Sequence, residues 1–187
     1  GLFLHVLITY TSAVRFLAKI KPRECFSRMS SVPLVGFSTS SSSATLPLTM
    51  ETAEENLGVS KSVSSFVLPL GATINMDGTA LYQAVAVMFI AQIYGIPLGV
   101  GDQLIVVMTA TLASVGAAGV PSAGIITLII VLNSVGLGAN AQAGIALILG
   151  VDRILDMLRT AVNVTGDLSC ATVIARSEGE LELPDLG

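Results

Sequence analysis

The sequence predicts an all-α membrane protein, in which transmembrane helices combine with two re-entrant helical hairpins arranged as an inverted repeat. Three observations carry that prediction. Of 187 residues, 52% are hydrophobic and only 12% are charged, with a mean hydropathy of +0.81, a composition suited to lipid. Between Asp102 and Asp152 there is no Asp, Glu, Lys or Arg, and long uncharged apolar runs mark membrane segments. That run leads directly into Val151–Asp167, whose polar residues gather on one side. At about 100° per residue, Asp152, Asp156, Arg159, Thr160, Asn163 and Asp167 share an arc roughly 100° wide. Ile154, Met157, Leu158, Ala161 and Val164 lie opposite. An ionised group facing lipid at mid-bilayer would cost roughly 2.5 to 3.5 kcal/mol, so the stripe must face protein or a watered cavity. A soluble amphipathic helix would share the stripe but not the uncharged run behind it.

Taken in order, the chain reads as one membrane domain, 1–187. Residues 1–20 form a transmembrane helix ending at the basic cluster Arg15, Lys19, Lys21, Arg23 and Arg28, which the positive-inside rule puts on the cytoplasmic side. His5, the only histidine, reads as a helix-end or packed residue. Residues 22–56 form the first re-entrant hairpin, because the serine run Ser40–Ser43 is flanked by apolar residues, whereas a linker would continue polar. Residues 62–94 are a broken transmembrane helix. Its interruption, Gly71 to Thr79, puts an Asn, an Asp and two glycines in mid-span, where free carbonyls and a carboxylate suit a cation. After an outer loop, residues 103–135 form the second hairpin, tipped by the small residues of Ser114 to Gly124. Residues 140–176 are the ionic helix, and 177–187 an acidic tail with Glu178, Glu180, Glu182 and Asp185. The pattern of a hairpin followed by a helix carrying N-x-x-G occurs twice, at Asn75–Gly78 and Asn163–Gly166. The two hairpins enter from opposite sides, hence the inverted topology. A start inside an apolar segment, without Met, is what a piece of a longer protein would show.

Several function classes find no support in these residues. There is no basic patch for nucleic acid, and Cys25 and Cys170 lack the spacing of a zinc site or a disulfide framework. No secretory signal is visible. Asn163-Val164-Thr165 fits a glycosylation sequon but lies in mid-membrane, and the glycines at 136 and 138 lack a βαβ context for a dinucleotide. The enzyme alternative is an intramembrane aspartyl protease using Asp77 with Asp167, two carboxylates that would share a proton. Its Gly-x-Gly-Asp pattern is absent, with Val164-Thr165-Gly166-Asp167 in its place.

Four motifs in order, S-S-S-S-A-T-L-P from Ser40, N-M-D-G-T from Asn75, G-A-A-G-V-P-S-A-G from Gly116 and D-R-I-L-D-M-L-R-T-A-V-N-V-T-G-D from Asp152, resemble the dicarboxylate/amino acid:cation symporters, the glutamate transporter family. The resemblance covers nearly the whole chain and implies the C-terminal core of an elevator-type transporter, a homotrimer when full length, multi-pass in the plasma (inner) membrane. It implies no enzyme activity and no cofactor, with sodium ions as co-transported ligands. Ser40, Ser41 and Ser42, with Val120, Pro121 and Gly124, would hold the substrate's α-carboxylate. Asp156 would take its ammonium and Arg159 its side-chain carboxylate, with Thr79, Thr160 and Asn163 adding hydrogen bonds. The chemistry agrees, since a guanidinium fork matches a carboxylate and small-residue tips let backbone N–H groups reach an anion. For sodium the resemblance implies Gly71, Asn75, Asn163 and Asp167 at one site, the carbonyls of Thr73, Ser114, Val115 and Ala117 at a second, and Asn75 with Asp77 at a third.

Three positions depart from the family pattern. Members carry a further arginine at the position of Ser40 or of Met157, and neither is present here; Arg153, one turn before Met157, is the candidate substitute. Gln83 stands where proton-coupled animal members have Glu. The expected function is sodium-driven uptake of glutamate or aspartate. The alternative is a proton-coupled glutamate or C4-dicarboxylate symporter, against which Asp156 tells because a dicarboxylate has no ammonium to pair with it.

Overall fold

A computed structural model describes residues 1–184; Asp185, the last acid of the expected tail, lies outside them. Turn-forming residues divide the chain into helices. The first, α1 (Leu2–Leu17), contains wide π-helical turns and is bent by 106° against α2 (Pro22–Arg28), which Pro22 opens from the extended residue Lys21. There follow α3 (Ser31–Thr39) and α4 (Ser42–Glu55), whose first turn is capped by the Ser41 hydroxyl accepting from the Ala44 N–H at 3.1 Å. Ser60 caps α5 (Lys61–Ile74) in the same way, through the Val63 N–H. The chain breaks at Asn75 and Met76 and restarts as α6 (Asp77–Ile93). Next come α7 (Val100–Val115) and α8 (Ala123–Ser134), and after a 3-10 turn the chain enters α9 (Ala141–Glu178), 38 residues long. Gly179, at φ +74°, ends α9.

Helix α9 is the axis on which two apolar cores are strung. One core joins α1 through α5 to the C-terminal half of α9, through Val32, Leu57, Leu68, Val164 and Leu168. The other joins α6, α7 and α8 to its N-terminal half, through Val87, Ile90, Leu128, Leu132 and Ile145. The ionic stripe lies where the two cores meet. All six of its residues are buried, whereas Ile154 opposite is 60% exposed. Val164, also opposite, is buried too, because it packs under Gly36 of α3. The stripe is therefore enclosed by protein on both sides at this level.

Polarity runs inside out. Large apolar side chains such as Phe3, Val100, Met108, Leu112 and Ile126 point outward, while the serines, threonines and charges of the seam point inward. Among the described residues, one helical stretch, Lys61–Ile93, is long and apolar enough to cross a membrane, or two if the bent pair α1–α2 counts as one span. Helices α7 and α8, of 16 and 12 residues, are shorter. At the base, Val59 and Leu181 form an isolated antiparallel bridge. Arg28 donates to the carbonyls of Asn56 and Pro184, fastening the tail to the end of α4.

Candidate functional site

The site begins with a charge that burial forces to find a partner. Arg159 is 1% exposed. Its Nη2 donates to Asp156 Oδ1 at 2.6 Å and lies 3.6 Å from Asp152 Oδ1, and its guanidinium sits 3.9 Å over the Tyr82 ring. The i, i+3 spacing on α9 brings Asp156 and Arg159 together, and α6 supplies the aromatic floor. Arg159 Nε and Nη1 have no hydrogen-bond partner among the described residues. Asp156 is engaged a second time, because its Oδ2 accepts from the Ser122 N–H at 2.9 Å. The carboxylate thus ties α9 to the α7–α8 tip.

Next to this pair is a cavity of about 20 Å³, lined by Ser40, Thr79, Gly119, Val120, Gly124 and Asp156 among others. Such a volume holds about one water. Ser42, Ala117, Thr160 and Asn163 also line it. Asn163 is fixed from α6: its Oδ1 accepts from the Gly78 N–H at 2.8 Å, and its Nδ2 donates to Thr79 Oγ1 at 3.4 Å. The cavity is small because the two tips touch. Ser41 Oγ donates to the Gly119 carbonyl at 2.6 Å, and the Ser43 N–H to the same oxygen at 3.2 Å. A Cβ on Gly119 would lie 2.7 Å from Ser43 Oγ and 2.8 Å from the Ala72 carbonyl, so this contact needs a residue without a side chain.

Of the residues expected to bind substrate, Ser40, Ser42, Thr79, Val120, Gly124, Asp156, Thr160 and Asn163 share this cavity. Ser41 joins the tips from outside its lining, and Pro121 is exposed. Arg159 sits behind Gly124, whose Cβ would lie 2.9 Å from its Nη1. Arg153 is exposed, whereas Ser40 is buried, and among the described residues its hydroxyl has no hydrogen-bond partner. Gln83 is fully buried; its Nε2 donates to the Gly124 carbonyl at 3.3 Å, tying α6 to the first turn of α8.

The expected cation ligands fall into two groups. Asn75 Nδ2 donates to Asp167 Oδ1 at 2.9 Å and to the Asn163 carbonyl at 3.1 Å, and Gly71 lies against Asp167 closely enough that a Cβ would come within 2.5 Å of Oδ1. Gly71, Asn75, Asn163 and Asp167 are therefore together. Asp77 lies beside them across the break, its Oδ1 accepting from the Gly78 N–H at 2.7 Å. The set Thr73, Ser114, Val115 and Ala117 is not gathered in one cavity. Ser114 and Val115 line a groove with Asn75 and Asp77, Ala117 lines the small cavity, and Thr73 is exposed with its hydroxyl on the Leu70 carbonyl.

Reading the sequence missed Tyr82 and Tyr10, placed Gly119 and Ser122 in the second tip without their partners Ser41 and Asp156, and gave His5 no role. Tyr82 had a signal, because it follows Thr79 by three residues on the same helical face. Contacts between the tips, and between α1 and α6, join residues far apart in the chain and leave no local trace.

An interrupted helix and buried charges at a seam between two cores are features of integral membrane transporters. Residues 1–177 match the family model described as the sodium:dicarboxylate symporter family, and the chain belongs to that family. It is 47% identical over 186 residues to an excitatory amino acid transporter of Caenorhabditis elegans, covering 99% of this chain and 36% of that one. It is 46% identical to human excitatory amino acid transporter 3, covering 100% of this chain and 35% of that one. The human excitatory amino acid transporter 1 is likewise 46% identical, with 100% and 34% covered. The chain thus spans about a third of the length of the curated relatives it matches. The family is one of transporters. The carboxylates offered above for a protease dyad have separate partners, Asn75 for Asp167 and α1 side chains for Asp77.

Proposed function

We propose that this chain is the substrate- and cation-binding core of a secondary active symporter that couples uptake of glutamate or aspartate to the sodium gradient. In this reading the full-length protein is a multi-pass homotrimer of the plasma (inner) membrane and moves its core by an elevator-type displacement. The pairs α3–α4 and α7–α8 are its two re-entrant hairpins, related by an inverted repeat; none of their four helices reaches the roughly 20 residues needed to span a bilayer. The observation that carries the reading is the Asp156–Arg159 pair, buried at 2.6 Å and tied to the second tip by Ser122.

Each partner of that pair satisfies the other until a ligand offers the same charges. The ammonium of an acidic amino acid takes over Asp156, and its side-chain carboxylate takes over Arg159, whose Nε–H and Nη1–H are unused donors among the described residues. A C4-dicarboxylate supplies no cation, so binding it would strand Asp156 as a buried unpaired charge, at a cost of about 3–5 kcal/mol. Acidic amino acids are thereby favoured over dicarboxylates. A cavity of about 20 Å³ is too small for either, so one tip must lift to admit substrate. Sodium ions are cargo on the same journey. Asn75, Asp77 and Asp167 offer the hard oxygens that suit them, and the Gln83 amide has no titratable proton to carry.

The test is aspartate uptake by the full-length protein in proteoliposomes, with and without a sodium gradient. Uptake that follows the gradient supports the reading; equal uptake without sodium overturns the coupling. Arg159→Cys should lose aspartate transport and admit a neutral amino acid such as serine. Aspartate uptake left intact in that variant would overturn the specificity assignment.

A further inference from the structure

Asp77 is held by a helix that neither the motifs nor the proposed ligand sets include. His5 and Tyr10 both reach from α1 to the same atom, Asp77 Oδ2. His5 Nε2 lies 2.7 Å from it, and the Tyr10 hydroxyl donates to it. The histidine is oriented in turn, since Thr9 Oγ1 lies 3.2 Å from its Nδ1. With the Thr9 hydroxyl donating to Nδ1, the ring proton is on Nε2 and points at the carboxylate. Tyr10 is 6% exposed. Its hydroxyl lies over Gly166 beside Asn75: a Cβ on Gly166 would come within 2.5 Å of the phenol oxygen and 2.7 Å of Asn75 Nδ2. The phenol oxygen, the Asn75 amide and the Asp77 carboxylate therefore converge at the helix break, one residue from Asp167.

From this convergence we infer that Tyr10 is an oxygen ligand of the cation bound at Asn75 and Asp77, and that His5 is the positioning residue that aims Asp77 at it. The inference rests on the sodium reading above and adds α1 to the cation centre. Tyr10 donates to Asp77 when no cation is present. When a cation takes that carboxylate oxygen, the O–H rotates away and a phenol lone pair faces the ion. The exchange swaps one partner for another without moving the backbone. His5 keeps Asp77 Oδ2 turned toward the break throughout, the part that orienting partners play around metal ligands. Gly166 is the residue that lets the phenol approach, so the N-x-x-G repeat on α9 acquires a purpose in the site.

The experiment uses full-length protein in detergent, titrated with sodium chloride against choline chloride without amino acid, with thermal unfolding as readout. Tyr10→Phe should raise the sodium concentration for half-maximal stabilisation about tenfold or more, the range found when groups around a bound metal are removed. The melting temperature in choline should change little. His5→Gln, which keeps an N–H donor, should respond to sodium as the wild type does, and His5→Leu should follow Tyr10→Phe. Tyr94→Phe, at the end of α6, is the control. If Tyr10→Phe instead lowers the melting temperature equally at every sodium concentration, Tyr10 only packs and the inference is overturned. Should Tyr10→Phe fail to fold, the His5 pair decides alone, and equal sodium responses from Gln and Leu sink the inference. A wild type that ignores sodium would instead overturn the sodium reading on which the inference rests.

Discussion

The two tips that meet over the small cavity use the same kind of residue and differ in what surrounds them. Each has a serine in the left-handed region, Ser40 at φ +51° and Ser122 at φ +63°, where a residue other than glycine costs about 1 kcal/mol. In the first tip Ser40, Ser41 and Ser42 are all buried, at 2%, 6% and 3% exposure. In the second, Ala118, Val120, Pro121 and Ser122 are exposed. The first tip is packed inside the protein. The second is held by the Ser41–Gly119 and Ser122–Asp156 hydrogen bonds and by the Ser43 N–H, and its far side is exposed. A serine in the left-handed region thus sits in a buried tip in one place and in an exposed tip in the other, and this contrast in packing predicts that the first behaves as a wall and the second as a door.

The largest test of that contrast is Asp156→Asn, which weakens the anchor of the second tip and leaves Arg159 buried without its nearest anion. Breaking a buried pair costs about 3–5 kcal/mol, so aspartate affinity should fall at least about 100-fold by calorimetry. Labelling of Val120→Cys, in a Cys170→Ser background that removes the exposed native thiol, should become fast and insensitive to aspartate. Next is Gly119→Val. Overpacking the tip contact costs about 1–3 kcal/mol wherever the tips touch, which should lower the melting temperature and speed the labelling of Val120→Cys about 10- to 100-fold. A door that closes as tightly as before would show that the tips need not touch.

A smaller effect is expected of Ser41→Ala, which removes one hydrogen bond between the tips and the cap of α4, each worth about 1 kcal/mol. The cap loss should appear as reduced stability. The lost tip contact should appear as roughly fivefold faster labelling of Val120→Cys, with labelling of Ser42→Cys on the wall still slow. Equal acceleration at both positions would remove the distinction between wall and door.

The smallest effect belongs to the base, away from both tips. Ser60 and Ser62 donate to the exposed Glu180 carboxylate and hold its pKa below the ordinary carboxylate value. The folded form therefore favours the ionised group. Its contribution is present above the ordinary carboxylate pKa, and it is lost as the pH falls through the lowered one. Glu180→Gln should lower the melting temperature at neutral pH by no more than about 2 °C, a gap that closes in acid, with aspartate binding unchanged. A change in binding would mean that the base communicates with the tips.

Much of this was legible along the chain because it is local. The interruption at Asn75 follows from polar and glycine residues in an apolar run, and the shared side of Asp152, Asp156, Arg159, Asn163 and Asp167 follows from a period of 3.6. The i, i+3 spacing alone brings Asp156 beside Arg159. Other features were not legible. The opposite face of the stripe was read as one surface, yet Ile154 is exposed and Val164 is buried beneath Gly36, because α3 covers one turn of α9 and not the other. Arg153 was a candidate for the absent arginine on spacing, and spacing alone did not show that its side chain is exposed. His5 looked like an isolated polar residue because its partner is 72 positions away.

By itself the sequence determined where helices start and break, which side of α9 is ionic, and that such charges must be enclosed, because these depend on residues within a turn or two of each other. Only the tertiary structure decided which tip is buried, that Arg159 rests on Tyr82, and that α1 reaches Asp77. Those contacts depend on how separate helices are brought together, and no period within one helix records its neighbour.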